Sequence, residues 1–170
     1  MLSFSFDERP TVAAHVEFIR KKFYSRSWLL RHLKQAGVPL ADIAKIYTAA
    51  IRSVIEYAVP VYGPMLSGVQ SEELERLQRQ SLKLIYGYRV SYSKTLELAD
   101  MKSLSKRRSD IIRKFSEKLA VKERFEHWLP KTEPNLHGLR RTKTYREDHA
   151  NTDRLYKSPL YTFRRLLNEG

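Results

Sequence analysis

The chain has 170 residues, and its 32 Lys and Arg against 19 Asp and Glu leave a formal net charge of +13. That length is enough for one domain with a buried core. The charge points first to nucleic acid and second to an anionic membrane, with no lipidation motif or basic amphipathic terminal helix to support the latter. With no cysteine, disulfide scaffolds, thiol catalysis, zinc fingers and zinc knuckles are excluded, a composition compatible with an intracellular protein of nucleus or cytoplasm.

In chain order, Leu2, Phe4 and Phe6 alternate with serines, the pattern of a strand too short to stand alone. Asp7, Glu8 and Arg9 stand where a signal peptide would need its apolar region. Pro10 and Thr11 open a predicted first long helix, with Val12, Val16, Ile19, Phe23, Leu30 and Leu33 at three-four spacing and Gly37 as a left-handed cap. Arg26 falls on the seam between Phe23 and Leu30, which allows a break near Ser25–Ser27. Arg20, Lys21, Lys22, Arg26, Arg31 and Lys34 follow one another without an acid, and Tyr24 and Trp28 are interleaved. This is either a solvated basic face or a phosphate-contacting ridge with stacking side chains nearby.

The stretch from Ile43 to Pro64 is the longest apolar run and predicts a buried helix. Arg52 and Glu56 stand four apart as its one polar face, and Pro60 should kink or end it. Its charges, with Lys45, make a membrane span unexpected. Ser67 with Gln70 predicts a capping box for a helix that carries Leu74, Leu77, Ser81 and Leu84 or Ile85 on one side and ends at Gly87. Glu72 with Arg76 and Glu75 with Arg79 are spaced as four-apart pairs on its solvent face. A metal site at Glu72, Glu73 and Glu75 lacks a nearby His or Asp. Tyr86, Tyr88, Arg89 and Tyr92 crowd the following turn, either to stack bases or to cover a helix junction.

A short helix over Ser93–Ala99 and a long one from Ser103 are expected next, the latter with Leu104, Ile111, Phe115 and Leu119 inward. Lys102, Lys106, Arg107, Arg108, Arg113 and Lys114 against Asp110 make 102–114 the densest positive segment, net +5. Arg108 falls on the apolar seam, so it either pairs with a buried acid or points into a groove. Beyond Pro130 the composition turns polar and Pro/Gly-punctuated, predicting an irregular tail. Its segment 158–168 is apolar enough to dock through Leu160, Phe163, Leu166 and Leu167. The five histidines, His15, His32, His127, His137 and His149, show no ligand spacing, and no nucleophile elbow, phosphate loop or HExxH helix is present. The residues therefore predict an all-α bundle of about five helices, with a short N-terminal strand and an irregular C-terminal tail.

Five stretches, HVEFIRKKFYSRSWLLRHLKQAG, IYTAAIRSVIEYAVPVYGP, LERLQRQSLKLIYG, LSKRRSDIIRKFSEK and SPLYTFRRLLN, resemble, in this order, the region after the polymerase core of LINE-type (non-LTR retrotransposon) reverse transcriptases. The resemblance implies a strand remnant of a missing palm domain at 1–10, a helical thumb-like bundle over 11–128 and a basic tail over 129–170. It carries over no catalytic residue, because the family's aromatic-x-Asp-Asp palm motif, which holds Mg, does not occur in these 170 residues. No room is expected for an upstream phosphoesterase domain, and the downstream Cys-His knuckle has no cysteine here. What it implies is a thumb-and-connection region that binds template-primer nucleic acid without sequence specificity, with RNA or an RNA–DNA hybrid and a palm domain as partners and no small-molecule ligand. The candidate contacts are Arg20, Lys21, Lys22, Arg26, Trp28, Tyr88, Arg89, Lys106, Arg107, Arg108, Arg113 and Lys114. The alternative is a catalytically inert structural or interaction module, or a decayed retrotransposon remnant.

Overall fold

Thr11 opens the first helix by accepting a hydrogen bond from the Ala14 amide at 3.2 Å, and α1 then runs over Val12–Gln35. The computed structural model describes residues 11–132, 143–147 and 149–169, so the strand pattern at Leu2, Phe4 and Phe6 lies outside the described residues. Val16, Ile19, Phe23, Ser27 and Leu30 form the buried stripe of α1. The helix does not break at Ser25–Ser27. Ser25 and Ser27 donate to the carbonyls of Lys22 and Tyr24 within the helix, at 3.0 and 3.1 Å, and the small Ser27 takes the seam position. At the far end the amides of Val38 and Gly37 donate to Leu33 and Lys34. With Gly37 at φ 76°, this is the left-handed cap its sequence position predicts.

The apolar run after it is not one helix. It is built from α2 (Leu40–Tyr47), a wide π turn at Thr48–Arg52, α3 (Ser53–Glu56) and α4 (Val59–Tyr62), and ends in a 3₁₀ turn at Gly63–Met65. The break falls at Tyr57 and Ala58, where Tyr57 is extended and Ala58 is left-handed at φ 57°. Pro60 causes it as expected, by lacking the amide that would bond the Glu56 carbonyl, but it acts from the first turn of the next helix, where proline is tolerated.

The helix α5 spans Gly68–Tyr86, with the predicted capping box in place: the Gln70 amide donates to Ser67 Oγ at 3.2 Å and the Ser67 amide to Gln70 Oε1 at 2.9 Å. It ends at Gly87, whose φ of 103° and ψ of 157° only glycine adopts without strain. Short α6 (Tyr92–Leu98) is capped by Ser91, and α7 spans Leu104–Ala120. A 3₁₀ turn at Glu123–Trp128, α8 (Asp153–Tyr156) and α9 (Pro159–Glu169) complete the described chain. The fold is all-α; among the described residues the nearest thing to a sheet is a single antiparallel bridge between Lys131 and Tyr145.

The inward stripe of α7 departs from its reading by hydropathy. Leu104, Arg108, Ile112, Ser116 and Leu119 are buried, whereas Phe115 is 39% exposed and Ile111 only half-buried. Position on the helix, not hydropathy, selects Ser116 over its neighbour Phe115.

The chain divides into two compact units. The first holds the described residues up to Tyr57 together with Leu66–Arg107; the second holds Ala58–Met65 and the described residues from Arg108 onward. In the first, Arg26 on α1 meets Ala50 near the end of α2's run, as in an antiparallel hairpin. Arg20 approaches Glu73 and Lys34 reaches Leu84 and Ile85, so α1 and α5 run parallel. Ile19, Leu30, Ile43, Tyr47, Leu74 and Ile85 are fully buried, each such side chain contributing about 1.5–3 kcal/mol by its removal from water. In the second unit, Gly63 lies so near Ile112 that a Cβ there would stand 3.1 Å from Cδ1. Phe163 of α9 packs on Phe115 with ring centroids 5.5 Å apart.

Candidate nucleic-acid interface

Helical spacing places Lys21, Tyr24, Trp28 and Arg31 on one stripe of α1, opposite Val16, Ile19, Phe23, Ser27 and Leu30. All four are exposed, Tyr24 by 55% and Trp28 by 54%. Ten residues of helix put Lys21 and Arg31 about 15 Å apart along the axis, with the two aromatic residues between them about 6 Å apart. Neither Lys21 nor Arg31 has an ion-pair partner among the described residues. Trp28 is held in place by His32, whose Nδ1–H donates to the Trp28 carbonyl at 2.9 Å and whose ring meets the indole at 83° and 5.1 Å. Tyr24 likewise meets the buried Phe23 ring at 75° and 5.2 Å.

Other candidates on α1 are engaged. Arg20 pairs with Glu17 at 2.7 Å and stands 4.0 Å from Glu73, while Lys22 lies half-buried with its ammonium 5.6 Å from the Phe18 ring centroid. Arg26 is turned inward: its guanidinium donates to the Ala50 carbonyl within the π turn, so it is part of the helix packing and is corrected as a surface contact. Lys34 donates to the carbonyls of Leu84 and Ile85 at 3.0 and 2.8 Å, neutralising the negative end of α5. Tyr88 and Arg89, just beyond that end, are exposed, Tyr88 by 72%.

On α7 the basic residues part company. Lys106 is exposed in the first unit, and Arg113 and Lys114 are exposed in the second. Arg107 donates to Glu56, whose carboxylate also stands 3.4 Å from Arg52. The side chains of Arg52 and Glu56 are only 11% and 15% exposed, so these two are a nearly buried pair, and the more exposed Arg107 closes the cluster on its outer side. Arg108 is 6% exposed and cannot present its charge to a phosphate in water. Arg108 is removed from the surface candidates by its place on the seam, while Arg107 stays partly exposed with its charge engaged by the Glu56 carboxylate.

Glu75 is also misplaced by local spacing. In place of the predicted Arg79 it is 8% exposed and accepts from the amides of Leu104 and Ser105 at 3.2 and 3.0 Å, capping α7 from another helix. Arg79 bonds Glu72 instead, at 3.3 Å. The Tyr92 hydroxyl donates to Glu75 and accepts from Gln78 Nε2 at 3.1 Å, and Gln78 Oε1 accepts from the Tyr47 hydroxyl at 3.2 Å. Burial, reinforced by Glu75, pushes Tyr92 well above the usual phenol range. This network accounts for Tyr92 as a junction residue rather than a base-stacking one. Tyr24 and Arg31 are the members of the exposed stripe that the candidate contacts lacked; the 21, 24, 28, 31 spacing is the signal that marks them.

Among the described residues no group of three or more His, Cys, Asp or Glu could hold a metal ion, and no helix is long and apolar enough to cross a membrane. Compared with protein-family models, curated proteins and solved structures, the chain matches none.

Proposed function

We propose that the chain is the helical region that follows the polymerase core of a LINE-type reverse transcriptase, and that it holds RNA or an RNA–DNA hybrid without sequence specificity. The observation that carries this reading is the exposed stripe of Lys21, Tyr24, Trp28 and Arg31 on α1, where two cations with no ion-pair partner among the described residues flank two aromatic side chains. Phosphate neutralisation by such cations releases condensed counterions and needs no base readout. Two further features support it. Four of the resembling stretches coincide with α1, α5, α7 and α9, and the fifth with the helical run from α2 to the 3₁₀ turn. Arg89, Lys106, Arg113 and Lys114 are further candidate cations that are exposed, within a net charge of +13. In this reading catalysis belongs to a palm domain with its Mg, and the chain supplies grip.

The test is direct binding of the purified chain to a labelled RNA–DNA hybrid and to a labelled RNA at low salt, about 50 mM, where phosphate contacts are strong. Binding that weakens steeply as salt rises is expected. No binding at that salt would discard the proposal and leave an inert packing module.

A further inference from the structure

A chain that only neutralises phosphates has no use for large aromatic rings in water, yet α1 sets two of them between two cations that have no ion-pair partner among the described residues. Tyr24 and Trp28 are each touched by one described ring partner at a steep angle, Phe23 at 75° and His32 at 83°. A perpendicular partner covers at most one face of a ring. Each aromatic is thus fixed in position while half or more of the residue stays open, at 55% and 54% exposure.

A fixed, open ring beside a cation is a stacking platform for a nucleobase. In a duplex both faces of every internal base are already covered by neighbouring bases, so a helix lying against it meets phosphates, sugars and base edges only. An unpaired strand offers base faces and phosphates together. The separation of the rings, about 6 Å along the axis, suits one base per ring, and Lys21 and Arg31 flank them where the adjoining phosphates would run.

Resting on the nucleic-acid-binding reading above, we infer that the outer face of α1 takes an unpaired strand, with Tyr24 and Trp28 stacking on successive bases and Lys21 and Arg31 on the phosphates that flank them. A duplex, its base faces already covered, meets only the cations of this face and gains nothing from the two rings. Trp28 is a positioning contact for the strand, not a participant in any chemistry.

The experiment uses the full chain with labelled oligouridine, which forms no duplex, and an RNA–DNA hybrid of equal length. Tyr24→Ala and Trp28→Ala are expected to weaken oligouridine binding at least about fivefold each, the lower end for a lost base–aromatic stack, while hybrid affinity and melting temperature hold. Because the chain has two tryptophans, a Trp128→Phe variant makes Trp28 the reporter. Its fluorescence is expected to quench in saturable fashion with oligouridine and much less with the hybrid. Binding of both probes with no loss in the alanine variants, or with equal quenching by both, overturns the inference and leaves the broader reading standing. Absence of binding to either probe removes both.

Discussion

Glu75 shows how one side chain is reassigned by its surroundings. Its carboxylate stabilises three donors at once: the Leu104 and Ser105 amides and the Tyr92 hydroxyl. Glu75→Ala leaves those donors without an acceptor at a nearly buried position, and should cost about 2–4 kcal/mol. For a chain of this size that is a fall in melting temperature of roughly 5–15 °C. Glu75→Gln keeps an acceptor and should lose less. An unchanged melt for the alanine variant would discard the capping role. Arg107 and Lys106 make a second contrast. Arg107→Glu sets a like charge against Glu56 and should lower stability by about 1–2 kcal/mol, a value discounted from the fully buried case because the Arg107 side chain is 40% exposed. Lys106→Glu, with no ion-pair partner among the described residues to lose, should leave the melt unchanged and weaken nucleic-acid binding. If the two variants melt alike, the Glu56 cluster contributes nothing.

At the scale of elements, the chain end is held by a clasp rather than by apolar burial alone. Asn168 on α9 accepts from the Tyr145 amide and donates to the Tyr145 carbonyl, both at 2.9 Å, as a neighbouring strand would, and donates to Glu147 at 2.7 Å. The Thr132 amide donates to the Thr144 carbonyl and the Arg146 amide to the Pro130 carbonyl, which ties this segment to residues 130–132. Burial pushes the Glu147 carboxyl up, but hydrogen bonds from Lys143 and Asn168 and the charges of Lys143 and Arg165 outweigh it, so the group sits below the usual carboxylate range. The sign follows: the clasp's contribution is complete above about pH 4.3, the unfolded carboxyl value, and is lost as pH falls through the lower folded value. The Asn168 side-chain amide resonances should therefore shift only in that acid window, and Glu147→Gln should abolish the shift. A shift centred above that window would contradict the assignment.

Across the whole molecule, the net charge of +13 governs long-range attraction, but folding engages some of its cations, Arg26, Lys34 and Arg107 among them. If Lys21 and Arg31 each neutralise one phosphate of a single strand, Lys21→Ala with Arg31→Ala should flatten the plot of log affinity against log salt by about 1.4, at roughly 0.7 per contact. The same slope in the double variant and the parent would place the contacts elsewhere. The melting temperature should not move, since both side chains lie outside the core.

Much of the fold is legible in the sequence because its signals are local. The caps at Gly37, Ser67 and Gly87 and the break before Pro60 depend on bonds that span at most five residues, and helical periodicity gives the buried stripe of α1 and places Arg108 on that of α7. Tertiary structure alone decided which charges remain available. Arg26 is claimed from 24 residues away, Glu75 from 29 and Arg107 from 51, and no local pattern records such partners. A charge count therefore names every basic residue as a candidate, whereas folding removes those that a distant carbonyl or carboxylate can satisfy, because leaving a buried donor or charge unpaired costs more than the surface contact it would give up.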